Sequence, residues 1–279
     1  MMTGPIVAGV DGSAPATAAV EWAAADAGRR GLALRLVHVC EHWARDMGAT
    51  QYCEGALEAA ADRARALAPG LEVSTEMLSG RVTEELVAQS ATAESMVVGS
   101  RGLGGFRGMI LGSASLTLAG HAAGPVVVVR EHAAERLGEI VVGYDGSPFS
   151  DAAVEYAIQQ ARARGVQLRV LYAWYLPPLS PYASGYVASD EGFKEAAREA
   201  AERVAPFRER NPDVRLVDEQ VCDHPVAALM KCAATADLVV VGSRGHGGLA
   251  SAVLGSVSHG VLHHVTRPVA VVRPRPAKG

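Results

Sequence analysis

The sequence places small and polar residues directly after apolar runs, in a spacing suited to binding an anion. Asp11-Gly12-Ser13 follows the run at residues 6–10, and Gly99-Ser100-Arg101-Gly102 closes the run at residues 96–99. After nine more residues, Gly112-Ser113 opens a predicted helix, whose free N–H groups and positive dipole end attract phosphate. Because glycine lacks a Cβ atom, its backbone can approach an anion closely and adopt positive φ. The spacing therefore predicts a phosphate site, with the Ser113 hydroxyl as an additional donor.

The same spacing occurs a second time in the chain. Asp145-Gly146-Ser147 repeats the first turn at an offset of 145 − 11 = 134, and Gly242-Ser243-Arg244-Gly245 repeats the glycine motif at an offset of 242 − 99 = 143. Gly255-Ser256 again follows after nine residues. The second copy holds extra residues, which we assign to a long loop at 175–192 because that stretch is rich in Pro, Tyr, Ser and Gly. We predict two similar domains, at residues 1–133 and 138–279.

Each copy alternates strand and helix patterns, which predicts an α/β fold with a parallel sheet covered on both faces. In the first copy the predicted strands lie at residues 6–10, 32–39, 71–78, 96–99 and 126–129. The predicted helices lie at residues 14–30, 56–67, 82–91 and 113–122. Right-handed crossovers leave few ways to wind such a unit, so we predict an open five-stranded sheet of order 3-2-1-4-5 or its flavodoxin-like relative.

The predicted order brings the two motifs of each copy together. Ligands of open parallel sheets bind beyond the carboxyl ends of the strands, at the point where the strand order reverses. For the order 3-2-1-4-5 that point lies between strands one and four, which end at the aspartate turn and at the glycine motif. The sequence therefore predicts one crevice per domain.

The duplicated G-2x-G-9x-G-S spacing, each time after a Val-Val-Gly strand, resembles the signature of ATP-binding members of the universal stress protein family. The opening Val-Asp-Gly-Ser and the strand-ending Val-Val-Arg sequences also resemble the family, and the resemblance covers essentially the whole chain. It implies two universal stress protein domains in tandem and one ATP site per domain. The Val-rich strands at 126–129 and 269–272 would lie at the sheet edges, so we predict that they pair in a pseudo-twofold arrangement of the halves, as the resemblance also implies, and that two chains form a homodimer.

The resemblance also implies particular binding residues. Asp11 and Asp145 are placed near the ribose and the metal–phosphate region, and the backbone at Val39 and Ala173 meets the adenine. The other residues carried over are Gly12, Ser13, Gly99, Ser100, Arg101, Gly102, Gly112, Ser113 and Ser115 in the first copy, and Gly146, Ser147, Gly242, Ser243, Arg244, Gly245, Gly255, Ser256, Val257 and Ser258 in the second.

Structural alternatives stand beside several of these assignments. Asp-Gly-Ser after a strand is by itself a good turn and helix N-cap. Asp11 either accepts a hydrogen bond from a ribose hydroxyl or ligates Mg²⁺, and the sequence leaves both open. Arg101 and Arg244 either reach the phosphate oxygens or are solvated surface side chains.

Three classes of function are consistent with the motifs. The first is an ATP-binding stress-response regulator in which the nucleotide acts as a conformational ligand. The second is a slow ATPase or nucleotidyl-transfer enzyme, and the third is a nucleotide-free interaction scaffold. We favour the first, with no catalytic residue assigned, because neither glycine loop supplies a carboxylate, a Gln or a paired base to activate water. AMP, ADP and cyclic nucleotides stay open as ligands.

Two other nucleotide motifs are disfavoured. The P-loop pattern G-x-x-x-x-G-K-[ST] does not occur in the sequence. Gly245-x-Gly247-x-x-Ala250 matches a loose dinucleotide fingerprint, but it follows the fourth predicted strand rather than the first, so we interpret it as chance.

Composition argues against nucleic-acid and membrane partners. The 279 residues carry a net charge of −4, so no basic field attracts nucleic acid. No apolar stretch is long enough to cross a membrane, and the amino terminus lacks a signal-peptide pattern, so we expect a cytoplasmic location.

The cysteines predict no disulfide framework. Cys40, Cys53, Cys222 and Cys232 form no C-x-x-C pair, so we expect scattered, reduced packing thiols. A zinc site built from Cys40, His42 and Cys53 is conceivable, and we set it aside at this point.

Overall fold

The computed structural model describes residues 4–41, 47–103, 111–130, 137–174, 190–246 and 253–275. Residues 175–189 of the predicted loop at 175–192 lie outside the described residues. His42, Gly247 and Ala250 also lie outside them. Residue 133, the predicted end of the first domain, and residues 276–279 also lie outside the described residues.

The first half contains five strands and four helices in alternation. They are β1 (Ile6–Gly9), α1 (Ala14–Arg30), β2 (Leu34–Cys40), α2 (Met47–Leu67), β3 (Val73–Ser79), α3 (Val82–Gln89), β4 (Ser95–Gly99), α4 (Ser113–His121) and β5 (Val126–Val129). The predicted elements are all present. The largest difference is that α2 begins at Met47, whereas the apolar spacing predicted a helix from residue 56.

The second half repeats this series. Its elements are β6 (Glu139–Tyr144), α5 (Pro148–Arg164), β7 (Gln167–Trp174), α6 (Asp190–Arg210), β8 (Leu216–Cys222), α7 (Pro225–Ala233), β9 (Leu238–Gly242), α8 (Ser256–His264) and β10 (Val269–Val272). Ser13 and Ser147 are the N-caps of α1 and α5, and each serine side chain accepts a hydrogen bond from the first helical turn.

The ten strands form one sheet, in the order β3-β2-β1-β4-β5-β10-β9-β6-β7-β8. Each half has the predicted order 3-2-1-4-5, and the strand pairs within each half are parallel. β5 and β10 pair in antiparallel fashion, with Val127 opposite Ala270. Val127 and Ala270 are equivalent positions in the two halves, so the pairing is symmetric about them. The pairing covers the Val-rich edge of each half with the edge of the other.

Two hydrophobic cores cover the two faces of the sheet. Successive residues of a strand point to opposite faces, so Val97 enters one core and Val98 the other. Each core contains strand residues from both halves. No helix among the described residues is long and apolar enough to cross a membrane.

A buried ion network joins the halves where α1 meets α5. Asp26 has no exposed surface, and its carboxylate lies 3.5 Å from Arg30 of the same helix and 3.0 Å from Arg164 of α5. Gln160 of α5 donates a hydrogen bond to the same carboxylate at 3.1 Å. Arg30 also pairs with Glu94 at 2.7 Å. The charges therefore compensate one another away from water.

Replacing Asp26 by alanine tests the importance of this network. We expect Asp26→Ala to lower the free energy of unfolding by about 3–5 kcal/mol, because two almost buried guanidinium groups would lose their shared partner. Chemical denaturation of the full chain measures the loss. Asp62→Ala is the matched control, since Asp62 pairs with Arg65 on the exposed face of α2 and such a pair contributes about 0–1 kcal/mol. Equal losses in the two variants would contradict the prediction.

Candidate functional site

A cleft opens in each half at the carboxyl ends of the first and fourth strands. The first cleft has a volume of about 770 Å³ and lies beyond β1 and β4. The second has a volume of about 440 Å³ and lies beyond β6 and β9. These are the positions where the strand order reverses, as the sequence predicted.

Most of the predicted binding residues line the two clefts. In the first cleft these are Asp11, Val39, Gly99, Arg101, Gly102, Gly112, Ser113 and Ser115. In the second cleft they are Asp145, Ala173, Gly242, Arg244, Gly245, Gly255, Ser256, Val257 and Ser258. The structure therefore brings together, in each half, motifs that lie about a hundred residues apart along the chain.

Three predicted residues in each half do not line the clefts, and they occupy equivalent positions. Gly12 and Gly146 adopt positive φ, of 83° and 79°, in the turns before α1 and α5. Ser13 and Ser147 cap those helices. The remaining pair, Ser100 and Ser243, is buried. For Gly12, Ser13, Gly146 and Ser147 the structure shows the turn and N-cap roles, and contact of all six residues with a ligand stays a prediction.

The aspartates tie the two motifs of each cleft together. Asp11 Oδ1 accepts a hydrogen bond from the Ser13 N–H at 2.9 Å, and Oδ2 accepts one from the Leu103 N–H at 3.0 Å. Asp145 does the same with the N–H groups of Ser147, at 2.9 Å, and His246, at 3.2 Å. Each carboxylate thus spans from its own turn to the glycine loop.

The hydrogen bonds also set the charge state of Asp145. Partial desolvation by itself raises the pKa of this carboxyl group. Hydrogen bonds from Ser147 and from the His246 N–H outweigh desolvation and hold the pKa below its usual value. The carboxylate is therefore ionised at neutral pH and contributes a negative charge to the rim of the second cleft.

The glycines of the loop are needed for reasons that the sequence did not reveal. A Cβ atom at Gly102 would lie 2.6 Å from Asp11 Oδ2, and one at Gly245 would collide with Asp145. A Cβ atom at Gly99 would lie 2.7 Å from the backbone of Pro15 at the start of α1. At these glycines the backbone lies close to other parts of the protein, and this contact, rather than contact with an anion, leaves no space for a Cβ atom.

Helices α4 and α8 begin with their amino termini at the clefts. Their N-caps, Gly112 and Gly255, have φ values of −78° and −71°, so positive φ is not the reason for glycine at these positions. A glycine N-cap has no side-chain acceptor, unlike the serine caps of α1 and α5. Ser113 and the following residues line the first cleft, which leaves the N–H groups of this turn available to an anion.

Ser115 and Ser258 hold these helices in place. The buried Ser115 hydroxyl donates to the Gly99 carbonyl at 2.7 Å, and the Ser258 hydroxyl lies 3.0 Å from the Ser243 carbonyl oxygen. Their protons are used by the main chain of the loop, because both side chains point from the helix back to the end of the fourth strand. Both residues nevertheless line their clefts, and their role in binding stays a prediction.

The two arginines differ in their surroundings. Arg101 is exposed at the first cleft. Arg244 lines the second cleft and places its guanidinium carbon 5.7 Å from the centre of the Phe149 ring, a cation–π contact. Both arginines therefore offer a positive charge at the cleft, and Arg244 is the better anchored.

Sequence reasoning missed the apolar floor of each cleft. Gly9, Val37 and Leu86 line the first cleft, and their equivalents Gly143, Leu171 and Leu229 line the second. Ala114 also lines the first cleft at the position equivalent to Val257. Gly9 and Val37 fall in predicted strands and Leu86 in a predicted helix, so they were not assigned to the site, but their recurrence at the offsets of 134 and 143 was a signal that could have found them.

Taken together, the fold and the paired clefts define a tandem α/β protein of the doubly wound type. The chain belongs to the universal stress protein family, whose family model matches residues 2–130 and 137–273. The resemblance seen in the sequence is thereby confirmed.

Relatives of the same architecture match over nearly the full chain. A universal stress protein of Mycolicibacterium smegmatis is 37% identical over 292 residues, which cover 97% of each chain. One of Mycobacterium tuberculosis is 36% identical over 299 residues, covering 96% of this chain and 94% of the relative. The crystal structure of a universal stress protein from Archaeoglobus fulgidus shares the fold, with a TM-score of 0.74 at 20% identity, and the match covers 98% of this chain and 99% of that one.

The role of Ser115 can be tested by removing its hydroxyl. We expect Ser115→Ala to lower the free energy of unfolding by about 0.5–1.5 kcal/mol, because a buried hydrogen bond to the Gly99 carbonyl is lost. Urea denaturation measures the change. Ser113→Ala, two residues earlier and exposed, is the control and should change stability by less than about 0.5 kcal/mol. A neutral Ser115→Ala would show that the hydroxyl does not hold the helix.

Proposed function

We propose that each half of this protein binds one ATP molecule in its cleft and that the nucleotide acts as a conformational ligand of a stress-response regulator. The observation that carries the proposal is the open amino terminus of α4 and of α8, each of which begins at a cleft on the carboxyl edge of the sheet. Uncapped N–H groups and a positive helix end favour phosphate at these positions. The names of the curated relatives support the role in stress response.

The remaining features of the clefts fit a nucleotide. Both volumes fall within the roughly 300–1,000 Å³ of small-molecule sites. Val39 and Ala173 supply the apolar wall where we place the purine. Arg101 and Arg244 lie where their charge favours the phosphate tail.

Mg²⁺ would enter with the triphosphate, which supplies most of its ligands. Asp11 and Asp145 fit such an ion only in part, because both oxygens of each carboxylate already accept main-chain hydrogen bonds. They retain lone pairs that serve equally as acceptors for a ribose hydroxyl. We therefore propose a carboxylate that orients the nucleotide.

Substitutions at the helix starts test the binding sites. Ser113→Asp and Ser256→Asp place a carboxylate at the first residue of α4 and of α8, where it favours the helix but repels phosphate. We expect about two ATP per wild-type chain by isothermal titration calorimetry, and one in each single variant. ATP should bind more tightly than ADP and ADP more tightly than AMP, because each phosphate adds contacts with the helix start.

The neutral variants Ser113→Asn and Ser256→Asn are the matched controls and should keep both sites, since they have the same side-chain shape without the charge. Thermal unfolding checks that all four variants are folded. The proposal would be wrong if the wild-type chain took up no adenine nucleotide, or if the aspartate variants bound ATP as the wild type does.

We also propose that binding, rather than turnover, is the function. Among the described residues, Asp11 and Asp145 are the acidic groups at equivalent positions in the two clefts, and their hydrogen bonds make them poor general bases. We expect phosphate release from ATP to stay at the rate of a protein-free control, measured with excess Mg²⁺. Release that is abolished by Asp11→Asn or Asp145→Asn would instead establish an enzyme.

Three earlier expectations remain part of the proposal. We propose that two chains associate, which the outer strands β3 and β8 support because their outer edges have no partner strand in the described chain. A cytoplasmic location stays a prediction. The absence of a nucleic-acid partner also stays a prediction, and the net charge of −4 supports it.

A further inference from the structure

A cluster of nitrogen and sulfur ligands lies beside the first cleft, across β2. His38 and Cys40 come from β2, and Cys53 comes from α2, which packs on that strand. One ligand atom from each residue lies within 4.8 Å of the other two. His38 and Cys40 are two residues apart in a strand and so share a face, whereas Val37 and Val39 point to the opposite face and line the cleft.

His38 is arranged as a metal-ligating histidine is. Its side chain is buried, and its Nδ1 atom has no hydrogen-bond partner among the described residues. The ring also interacts with the main chain of Val10. Ligating histidines usually donate the second ring N–H to a carbonyl or carboxylate, which leaves the first nitrogen with its lone pair directed at the metal. A buried nitrogen without a partner otherwise costs about 1–3 kcal/mol.

The two cysteines complete the donor set. Cys53 is buried, Cys40 is half-buried, and their sulfur atoms are paired at disulfide-bonding distance, so the expectation of scattered, reduced thiols was wrong for this pair. Their Cα atoms are 7.0 Å apart, just beyond the usual range of about 4.4–6.8 Å for a disulfide. When the pair is reduced, the two sulfur atoms can move apart to take an ion at about 2.3 Å from each, and the wide Cα separation accommodates that movement. Cys222 and Cys232 lie elsewhere as free thiols.

We infer that His38, Cys40 and Cys53 form a binding site for a thiophilic metal ion, with Zn²⁺ as the expected occupant. Two thiolates and one imidazole are preferred zinc ligands, and a tetrahedral ion would keep a fourth position for water. Binding would replace water ligands of the hydrated ion, which leave to solvent, with two sulfur atoms and one nitrogen atom. The thiol protons of Cys40 and Cys53 would pass to solvent.

The position of the site gives it a structural consequence. Tyr52, the residue before Cys53, donates its hydroxyl proton to the Asp11 carbonyl at 3.0 Å. A metal bound to Cys53 and β2 would therefore fasten α2 next to the aspartate turn of the first cleft. The second half has Tyr172 and Trp174 in place of His38 and Cys40, so the site belongs to the first half.

Metal analysis of the full chain tests this inference. The protein is purified under reducing conditions without chelator and then loaded with Zn²⁺, and bound metal is measured by mass spectrometry. We expect one Zn²⁺ per chain, with Cys40 and Cys53 protected from a thiol reagent until a chelator is added. Cys53→Ser and His38→Ala should weaken Zn²⁺ binding by more than about tenfold, since even changes behind the ligands cost that much. Cys222→Ser and Cys232→Ser should bind as the wild type does.

A measurement on the wild-type chain avoids dependence on the folding of variants. Co²⁺ in place of Zn²⁺ should produce the intense sulfur-to-metal absorption of bound thiolates. The inference is overturned if this absorption is missing, if the reduced chain takes up no Zn²⁺, or if Cys53→Ser keeps its metal. It is equally overturned if Cys40 and Cys53 are joined as a disulfide under these reducing conditions, which a mass lower by two hydrogens would reveal.

Discussion

Each cleft depends on one carboxylate that accepts hydrogen bonds from two main-chain N–H groups, one in its own turn and one in a loop about a hundred residues away in the sequence. Asp11 joins its own turn to the loop after β4, and Asp145 does so after β9. Because the carboxylate oxygen lies against the loop, Gly102 and Gly245 have no room for a side chain. The starts of α4 and α8 are held separately, because the Gly112 N–H donates to the Ser100 carbonyl at 2.7 Å and the Gly255 N–H to the Ser243 carbonyl at 2.8 Å. Together these contacts place the aspartate turn, the glycine motif and the open helix start at one cleft.

The two halves share a backbone plan but differ in their side chains. Strand order, caps and aspartate contacts recur at equivalent positions. The first cleft is larger and has an exposed arginine, while the second holds Arg244 against Phe149. The histidine and cysteine cluster belongs to the first half. The recurring contacts join the same Asp and Ser side chains to main-chain N–H groups in both halves, so the walls of the two clefts differ without changing these contacts.

Much of the fold could be predicted because apolar period and turn residues are local signals. The strand order could be predicted from the alternation of strands and helices, because right-handed crossover connections exclude most other strand orders. The start of α2 was predicted nine residues too late, at 56 rather than 47, because Gly48 and Gly55 are poor helix formers, although Ala49, Tyr52 and Cys53 already show helical spacing. Contacts of this segment with β2 and with the Asp11 turn involve Tyr52 and Cys53, and they are tertiary. The apolar floor of the clefts was missed because residues that line a cleft and residues of the core follow the same hydrophobic periodicity along the sequence.

The sequence by itself determined the duplication, the alternation of strands and helices, and the positions where polar residues leave the sheet. These features depend only on the spacing of residues along the chain, so they can be recognised without knowing which elements contact one another. The tertiary structure decided which glycines meet a carboxylate and which hydroxyls are used by the main chain. It also decided that Asp26 meets Arg164 and that His38 meets Cys53. Such contacts join residues from separate elements, so they exist only after the sheet has brought those elements within a few ångströms of one another.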